Sequence, residues 1–263
     1  MNADSTIPPL SLAHARDTFE ELTEAQLRGC GPVLVVAPHP DDESLGVGGL
    51  MARLRALAVK VEVLLCTDGS ASHPHSRTHP PAVLARVREA EMRAGLGLLG
   101  CDPAFDLYPL CLPDGAVPHH AGQPGFAYAV RAAAVVLRAT APATLILPWR
   151  RDPNPDHRAT WHILRAATEA VGWRGRWLEY LVWVWERASA DELPRADELR
   201  GWRVHIADFL PQKQAAIRAH VSQTSSLIGD DPSGFTLSDG MLAHSAHPWE
   251  VLLEDTGPSS EAA

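Results

Sequence analysis

Val33-Leu34-Val35-Val36-Ala37-Pro38-His39-Pro40-Asp41-Asp42-Glu43 is the stretch that decides the fold, because it joins an apolar run directly to a polar cluster. The five apolar residues at its start predict a β-strand. One imidazole and three carboxylates then follow at the predicted strand end. Carboxylates packed this closely repel one another unless a cation lies among them. The stretch therefore indicates a strand that leads straight into a cation site.

A second pair of segments repeats this arrangement further along the chain. The apolar run Thr144-Leu145-Ile146-Leu147-Pro148-Trp149 is followed by Asn154-Pro155-Asp156-His157. In open parallel sheets, ligands bind beyond the carboxyl ends of the strands, so two clusters that are distant in sequence can meet at that edge. A short-spaced His/Asp pair with one distant His is a common ligand set of catalytic zinc sites. We therefore expect His39, Asp42 and His157 to bind Zn²⁺, and such a set also accommodates Fe²⁺.

Neighbouring carboxylates suit the chemistry of such a site. Three protein ligands leave a coordination position for water, and zinc lowers the pKa of that water to about 7 while it polarises a carbonyl oxygen. Asp41 is next to a ligand without being needed as one, which makes it the expected general base. Asp156 is expected to orient His157 or a neighbour from outside the ligand set. The plainer alternative, in which these residues only cap turns and begin helices, is disfavoured because both clusters follow predicted strands.

Apolar runs alternate with helical periodicity along the chain, and this alternation predicts a parallel sheet covered by helices. The expected fold is a Rossmann-like α/β three-layer sandwich with a mainly parallel sheet and with the active site at the carboxyl ends of the strands. We expect strands near residues 33–37, 61–65, 105–108, 144–147, 178–185 and 204–206, and helices near 43–57, 82–99, 126–139, 211–220 and from 157 onward.

Length and charge limit the classes of function. The chain has 263 residues, which suffices for one domain over 1–263, with frayed tails expected at 1–9 and 257–263. Acidic residues outnumber basic ones by 32 to 23 and no Lys/Arg cluster stands out, so a nucleic-acid surface is disfavoured and a small-molecule partner is expected. The sequence has neither a signal-peptide pattern nor an apolar run of about 18 residues, so we expect a cytoplasmic protein without a membrane span. The four cysteines lack Cys-x-x-Cys spacing and are expected to be reduced thiols. Nothing in the sequence indicates an oligomeric state.

A glycine-rich segment raises a nucleotide-binding module as an alternative function. Gly46-Val47-Gly48-Gly49 follows a predicted strand in an alternating α/β pattern. The dinucleotide fingerprint needs its glycines in the turn directly after the strand, whereas this chain places carboxylates there that would repel a pyrophosphate. Met51 also occupies the position of the third glycine. The metal-dependent hydrolase is therefore the favoured interpretation.

Tryptophans are crowded in one later segment, at positions 173, 177, 183 and 185. Such crowding is typical either of core packing at a sheet edge or of a wall that contacts an acceptor. Core packing is the favoured interpretation.

The polar segments quoted above resemble those of the PIG-L/LmbE-like zinc-dependent N-deacetylases. The resemblance spans most of the chain and also takes in Asp68-Gly69, Arg88-x-x-Glu91 with Leu99-Gly100, Asp114-Gly115, and Lys213 to Gln223. Members of this family remove acyl groups, usually acetyl, from N-acylated glucosamine units of larger conjugates. The resemblance implies zinc on His39, Asp42 and His157, Asp41 as the general base, Arg88 and Asp114 as contacts to sugar hydroxyls, and a small N-acylated amino-sugar conjugate as the substrate.

Asn154 departs from the family pattern, which usually has a His three residues before the last zinc ligand. That His is thought to help stabilise the oxyanion, and an Asn side chain donates a neutral hydrogen bond but supplies neither a cation nor a proton. Loss of one such donor typically costs roughly 2.7–4 kcal/mol, so we expect a slower enzyme or a substitute donor. The candidate substitutes are four loop histidines, His73, His75, His119 and His120. A further alternative is a catalytically weakened metal- or glycan-binding protein, which would hold zinc but release no acyl group.

Overall fold

The computed structural model describes residues 16–255, in which strands and helices alternate as the sequence predicts. The strands are β1 (Glu20–Glu21), β2 (Val33–Ala37), β3 (Val61–Thr67), β4 (Leu107–Leu112), β5 (Thr144–Pro148), β6 (Arg176–Tyr180), β7 (Leu199–His205) and β8 (Trp249–Asp255). The helices are α1 (Glu24–Arg28), α2 (Asp42–Ala56), α3 (Pro81–Leu98), α4 (Phe126–Thr140), α5 (Pro155–Val171), α6 (Val184–Arg187), α7 (Leu210–Ala219), α8 (Val221–Thr224) and α9 (Asp239–Ser245). The tails predicted at 1–9 and 257–263 lie outside the described residues.

The strands of the described region form one sheet in the order β1-β7-β8-β6-β5-β2-β3-β4. β8 runs antiparallel to β6 and β7, and all other neighbouring strands are parallel, which confirms the mainly parallel sheet. The chain builds outward from β2 to β3 and β4 and then returns to the other side of β2 with β5. This reversal leaves a crevice beyond the carboxyl ends of β2 and β5, which is where open α/β sheets bind ligands.

Helices cover both faces of the sheet because the central strands are buried on both faces. Val33, Val35 and Ala37 of β2 pack into a core with α2, α3 and α7. Leu34 and Val36 point the other way, into a second core with α4 and α5. Alternate residues of a strand face opposite sides of a sheet, so an uninterrupted apolar run requires a helical layer on each side. The three-layer α/β architecture is confirmed.

The helix that follows β2 is interrupted and is held by the last strand. α2 departs from helical geometry at Val47 (φ −141°, ψ 21°). Just beyond the interruption, the backbone N–H groups of Gly49 and Leu50 donate to the Glu250 carboxylate of β8 at 2.9 and 2.7 Å. The ammonium of Lys213 donates to the same buried carboxylate at 2.7 Å, so the charge of Glu250 is both paired and hydrogen-bonded. α7 and β8 therefore hold the helix that begins at Asp42.

The glycines of α2 serve close packing. A Cβ at Gly46 would lie 2.3 Å from the ring of Tyr180, and one at Gly49 would lie 2.4 Å from the Ile206 side chain. These glycines therefore allow the helix to approach the sheet. This packing explains their presence without a nucleotide-binding role.

The prediction of a strand over residues 178–185 is wrong for residues 181–185. β6 ends at Tyr180, opposite Pro148, the last residue of its neighbour β5, so the ladder does not continue on that side. Trp183 instead directs its backbone N–H to the Asp152 carboxylate at 3.2 Å, and α6 begins at the next residue. Residues 181–184 are buried, although they lie in no strand.

No helix within residues 16–255 has the length and apolar character needed to cross a membrane.

Candidate functional site

A cavity of about 280 Å³ opens at the carboxyl edge of the sheet, beside the crevice between β2 and β5. Loops that leave several strands line it, and they bring together site residues that are far apart in sequence. Seven of the predicted site residues line this cavity: His39, Asp41, Asp42, Arg88, Asp114, Asn154 and Asp156. The eighth, His157, is fully buried and lies in contact distance of Asp42.

The three predicted metal ligands converge on one point. Oδ2 of Asp42 lies 3.1 Å from Nδ1 of His39 and 3.1 Å from Nε2 of His157. One donor atom from each of the three residues lies within 4.8 Å of the others. In a tetrahedral zinc site with bonds of about 2.0–2.1 Å, neighbouring donor atoms lie about 3.4 Å apart. The ligand triangle, as we call His39, Asp42 and His157, therefore has close to the spacing that a metal ion requires.

Asp152 supports His157 from the side away from the ligand triangle. Its Oδ1 lies 3.4 Å from Nδ1 of His157 and accepts the backbone N–H of Asn154 at 3.0 Å. Its Oδ2 accepts the backbone N–H of Trp183. Sequence reasoning missed Asp152 and named Asp156 for the outer role. The available signal was its place in the same loop, five residues before His157.

Two further carboxylates support His39. Oδ1 of Asp114 and Oδ2 of Asp156 each lie 3.3 Å from Nε2 of His39. Asp156 is itself fixed by the backbone N–H groups of Gly115 and Val117, at 2.7 and 3.2 Å. A carboxylate on the far ring nitrogen fixes the tautomer and orientation of a metal-binding histidine. Asp114 and Asp156 are therefore placed to orient His39.

The charges of this cluster favour a cation. Burial disfavours the charge of Asp42, but the imidazoles of His157 and His39 outweigh it and hold the pKa of this carboxyl well below its usual range. Burial likewise lowers the pKa of His157, but Asp42 and Asp152 raise it to about 9. Neither buried ring nitrogen of His157 has a well-directed hydrogen bond to any described residue. A divalent metal ion bound by the neutral imidazole would occupy one such nitrogen. The residues present therefore fit a metal ion held by the ligand triangle.

Asp41 lies beside the triangle in a conformation that its neighbours must hold. Its φ of +130° is rare for any residue but glycine. The fully buried Glu43 accepts the Asp41 backbone N–H at 3.2 Å, and Nε2 of His220 lies 3.7 Å from the other oxygen of Glu43. Burial raises the pKa of the Asp41 carboxyl to about 6, although Arg88 opposes this rise. A buried carboxylate with a pKa near neutrality is suited to accept and return a proton.

Arg88 clamps the Asp41 loop. Its guanidinium donates to Oδ2 of Asp41 at 3.1 Å, to the carbonyl of Pro40 at 2.7 Å and to the carbonyl of Gly69 at 2.9 Å. Gly69 has φ +67°, and a Cβ at this position would lie 2.4 Å from the guanidinium, so the close approach requires glycine. All three of these hydrogen bonds thus have acceptors in the protein itself. Its predicted contact to a sugar hydroxyl stays a prediction, as does that of Asp114.

Asn154 begins α5 and faces the cavity. Its Oδ1 accepts the backbone N–H of Asp156 at 2.9 Å and so caps the helix, which leaves the Nδ2 amide as its hydrogen-bond donor. The four loop histidines that were candidate substitutes, His73, His75, His119 and His120, are absent from the described lining of the cavity. The substitute-donor hypothesis therefore finds no support in these histidines.

The remainder of the cavity wall is mostly aromatic and apolar, and Arg187 and Ser72 are its polar members. The rings of Trp183 and Phe235 lie 5.2 Å apart at 60°, and the guanidinium of Arg187 lies 4.1 Å from the centre of the Trp183 ring. Sequence reasoning favoured core packing for the tryptophan group. That prediction is confirmed for Trp173, Trp177 and Trp185, which pack against the apolar clusters. It is also confirmed for Trp183, which belongs to the main core and in addition lines the cavity.

Comparisons with known proteins identify the family of this chain and several relatives. A family model described as PIG-L, GlcNAc-PI de-N-acetylase, matches residues 34–168. The 1D-myo-inositol 2-acetamido-2-deoxy-alpha-D-glucopyranoside deacetylase of Nocardia farcinica is 30% identical over 80% of this chain and 86% of the relative. The diacetylchitobiose deacetylase of Thermococcus kodakarensis is 30% identical over 54% of this chain and 50% of the relative. Among solved structures, GalB, the 4-carboxy-2-hydroxymuconate hydratase of Pseudomonas putida, superposes with a TM-score of 0.63 over 88% of this chain and 98% of that one, at 16% identity, a likeness that concerns the fold alone.

Proposed function

This chain belongs to the PIG-L family, and on that premise we propose that it is a metal-dependent hydrolase that removes an N-acetyl group from an N-acetylglucosamine-type conjugate. The observation that carries the proposal is a single cavity in which the ligand triangle lies beside the Asp41 carboxylate. The products would be acetate and a free amine on the sugar.

The ligand triangle would hold the metal ion through Nδ1 of His39, Oδ2 of Asp42 and Nε2 of His157. A divalent ion bound there, zinc by the usual preference of this donor set, would polarise the acyl carbonyl and make water more acidic. Asp114, Asp152 and Asp156 would keep both imidazoles in the orientation that binding needs.

Asp41 would carry the proton through the reaction. With a pKa of about 6, its carboxyl is mostly ionised at pH 7 and can accept a proton from the attacking water. Arg88 binds Oδ2, so the other carboxylate oxygen remains for that water. As the carbon–oxygen bond forms and the carbon–nitrogen bond breaks, protonated Asp41 would deliver the proton to the departing amine.

Asn154 would stabilise the oxygen charge that develops on the acyl carbonyl. Its Oδ1 is used to cap α5, whereas Nδ2 can donate a hydrogen bond into the cavity that it lines. A neutral amide donor serves this role in other hydrolases. The alternative of a metal- or glycan-binding protein predicts the same metal site without release of an acyl group.

The test is acetate release from several N-acetylglucosamine conjugates by purified protein whose metal content has been measured. We expect Asp41→Asn to retain the metal and to lose activity by about 10²–10⁴-fold. Asp208→Asn, the same change at an exposed residue outside the cavity, is the matched control and should keep full activity. Full activity of Asp41→Asn would overturn the base assignment. A metal-loaded wild-type protein that releases acetate from no conjugate would favour the binding protein.

A further inference from the structure

The cavity carries one guanidinium that the proposed reaction does not use. Arg187 is the last residue of α6, lines the cavity and is exposed. Within residues 16–255, no ion pair to a carboxylate is found for it. Arg88, the other guanidinium of the lining, is committed to Asp41 and to two backbone carbonyls. Arg187 is therefore the cation of this cavity that remains available to a ligand.

The carboxylate next to Arg187 in sequence is engaged elsewhere. Glu186 accepts the hydroxyl hydrogen bond of Ser238, at the start of α9. The backbone N–H groups of Glu186 and Arg187 both donate to the carbonyl of Trp183, which fixes the short helix. Within the described residues Arg187 thus has no carboxylate paired with its guanidinium, while its backbone is held in place.

The Trp183 ring orders the guanidinium without consuming its donors. A guanidinium stacked on an indole is held by its face, so its N–H groups at the edge remain free to form hydrogen bonds. Trp183 is itself 8% exposed and anchored to Asp152 through its backbone N–H. Phe235, which packs on Trp183, is anchored by a hydrogen bond from its backbone N–H to the carbonyl of Ser72 at 2.7 Å. A ligand at this wall therefore meets a largely preorganised surface.

Charge indicates which ligand group fits this wall. The lining also carries the carboxylates of Asp41, Asp42, Asp114 and Asp156, which would repel an anion from their own part of the cavity. A guanidinium fork matches the geometry of phosphate and carboxylate oxygens. We propose that Arg187 and the Trp183/Phe235 wall form a subsite for a negatively charged group, phosphate or carboxylate, on the acceptor part of the conjugate. This inference rests on the proposed function and deepens it, since it gives the substrate a chemical class.

Three glycosides of N-acetylglucosamine test the subsite by acetate release: the 1-phosphate, the carboxymethyl glycoside and the neutral methyl glycoside. We expect kcat/KM for at least one anionic glycoside to exceed that for the methyl glycoside by about tenfold, as one charge-assisted contact would provide. Arg187→Gln should bring this ratio close to one, and salt should reduce it in the wild type. Arg138→Gln, the same change at an exposed arginine outside the cavity, should leave the ratio unchanged. A preference for the phosphate or for the carboxymethyl group would tell which anion the subsite takes.

A binding measurement separates failure of the subsite from failure of the proposed function. Calorimetry with glucosamine 1-phosphate, carboxymethyl glucosaminide and methyl glucosaminide requires no turnover. Tighter binding of at least one anionic sugar by the wild type, lost in Arg187→Gln and kept in Arg138→Gln, would support the subsite even if no acetate is released from any conjugate. Equal binding of all three sugars by the wild type, or an equal preference in wild type and Arg187→Gln, would overturn it.

Discussion

The metal end of the cavity and its acceptor end are built in different ways. At the metal end, the ligand triangle comes from the segment directly after β2 and from the start of the helix after β5, and carboxylates behind the imidazoles fix it. At the acceptor end, Trp183 directly precedes the four-residue helix that contains Arg187, Phe235 comes from a later loop, and Arg187 is exposed. The comparison indicates that strand ends position the reacting groups. The loops, which tolerate sequence change, would determine which conjugate binds.

After the loss of Asp41, the largest effect should come from a second change at the metal end that leaves the ligands untouched. Asn154→Asp keeps a side-chain oxygen that can cap α5 but removes the Nδ2 donor. We expect acetate release to fall by about 10²–10³-fold with unchanged metal content, as for loss of one oxyanion donor. Asn154→Ala also removes the cap and should in addition lower the free energy of unfolding by about 1 kcal/mol. Turnover, metal content and thermal unfolding of both variants are the measurements, and an unchanged rate in Asn154→Asp would assign oxyanion stabilisation to another group.

A smaller effect should reveal whether the two ends are coupled. Asp152 contacts the imidazole of His157 at the metal end and the backbone of Trp183 at the acceptor end. Asp152→Asn should weaken metal affinity or activity by about 10–100-fold, because a supporting carboxylate is lost. Chelator competition measures the metal affinity, with Asp208→Asn as the matched control. Unchanged metal affinity and activity would remove Asp152 from the site, and an altered ratio between anionic and neutral glycosides would show that it joins the two ends.

The smallest effect is expected from a change on the strand that leads to the acceptor end, at a residue that lies at neither end of the cavity. Burial raises the pKa of Glu179 on β6 to about 7, although Arg150 and the indoles of Trp161 and Trp177 oppose the rise. Between about pH 4.5 and 7 the folded state therefore keeps a proton that the unfolded chain loses. The stability associated with this proton is present at low pH and is lost as the pH rises through 7.

Glu179→Gln stays neutral at every pH and should remove this dependence. We expect its Tm to exceed that of the wild type by about 2–4 °C at pH 8 and to differ little at pH 5. Thermal unfolding at the two pH values gives the comparison, and equal changes in wild type and variant would contradict the assignment. The ratio between anionic and neutral glycosides should stay the same, since Glu179 does not line the cavity.

The sequence predicted the metal end far better than the acceptor end for physical reasons. His39 and Asp42 lie within five residues of the end of β2, and His157 lies in the first turn of the helix that follows β5, so the two strand predictions also place the ligands. Trp183 follows β6 in an apolar segment that reads as more strand, and only the end of the neighbouring β5 stops the ladder. Arg187 lies in a helix of four residues, which is too short to show periodicity.

Other elements escaped prediction because their partners are distant or their signal is weak. β1 has two exposed glutamates and no apolar residue, and its pairing with β7 alone defines it. β8 inserts antiparallel between β6 and β7, an order that the alternation of strands and helices does not contain. Asp152 was overlooked because an outer carboxylate has no fixed spacing from the histidine that it supports.

The hydrogen bonds from α2 to Glu250 bear on how the protein folds during its synthesis. The helix that starts at the ligand Asp42 receives its stabilising carboxylate from a residue 200 positions after Leu50. A ribosome therefore releases the ligand motif long before it synthesises the strand that completes the helix carrying it. Contacts of such long sequence separation form late, since the loop that they close must first be ordered. We therefore expect the helix that carries Asp42 to reach its full stability only after β8 has been translated.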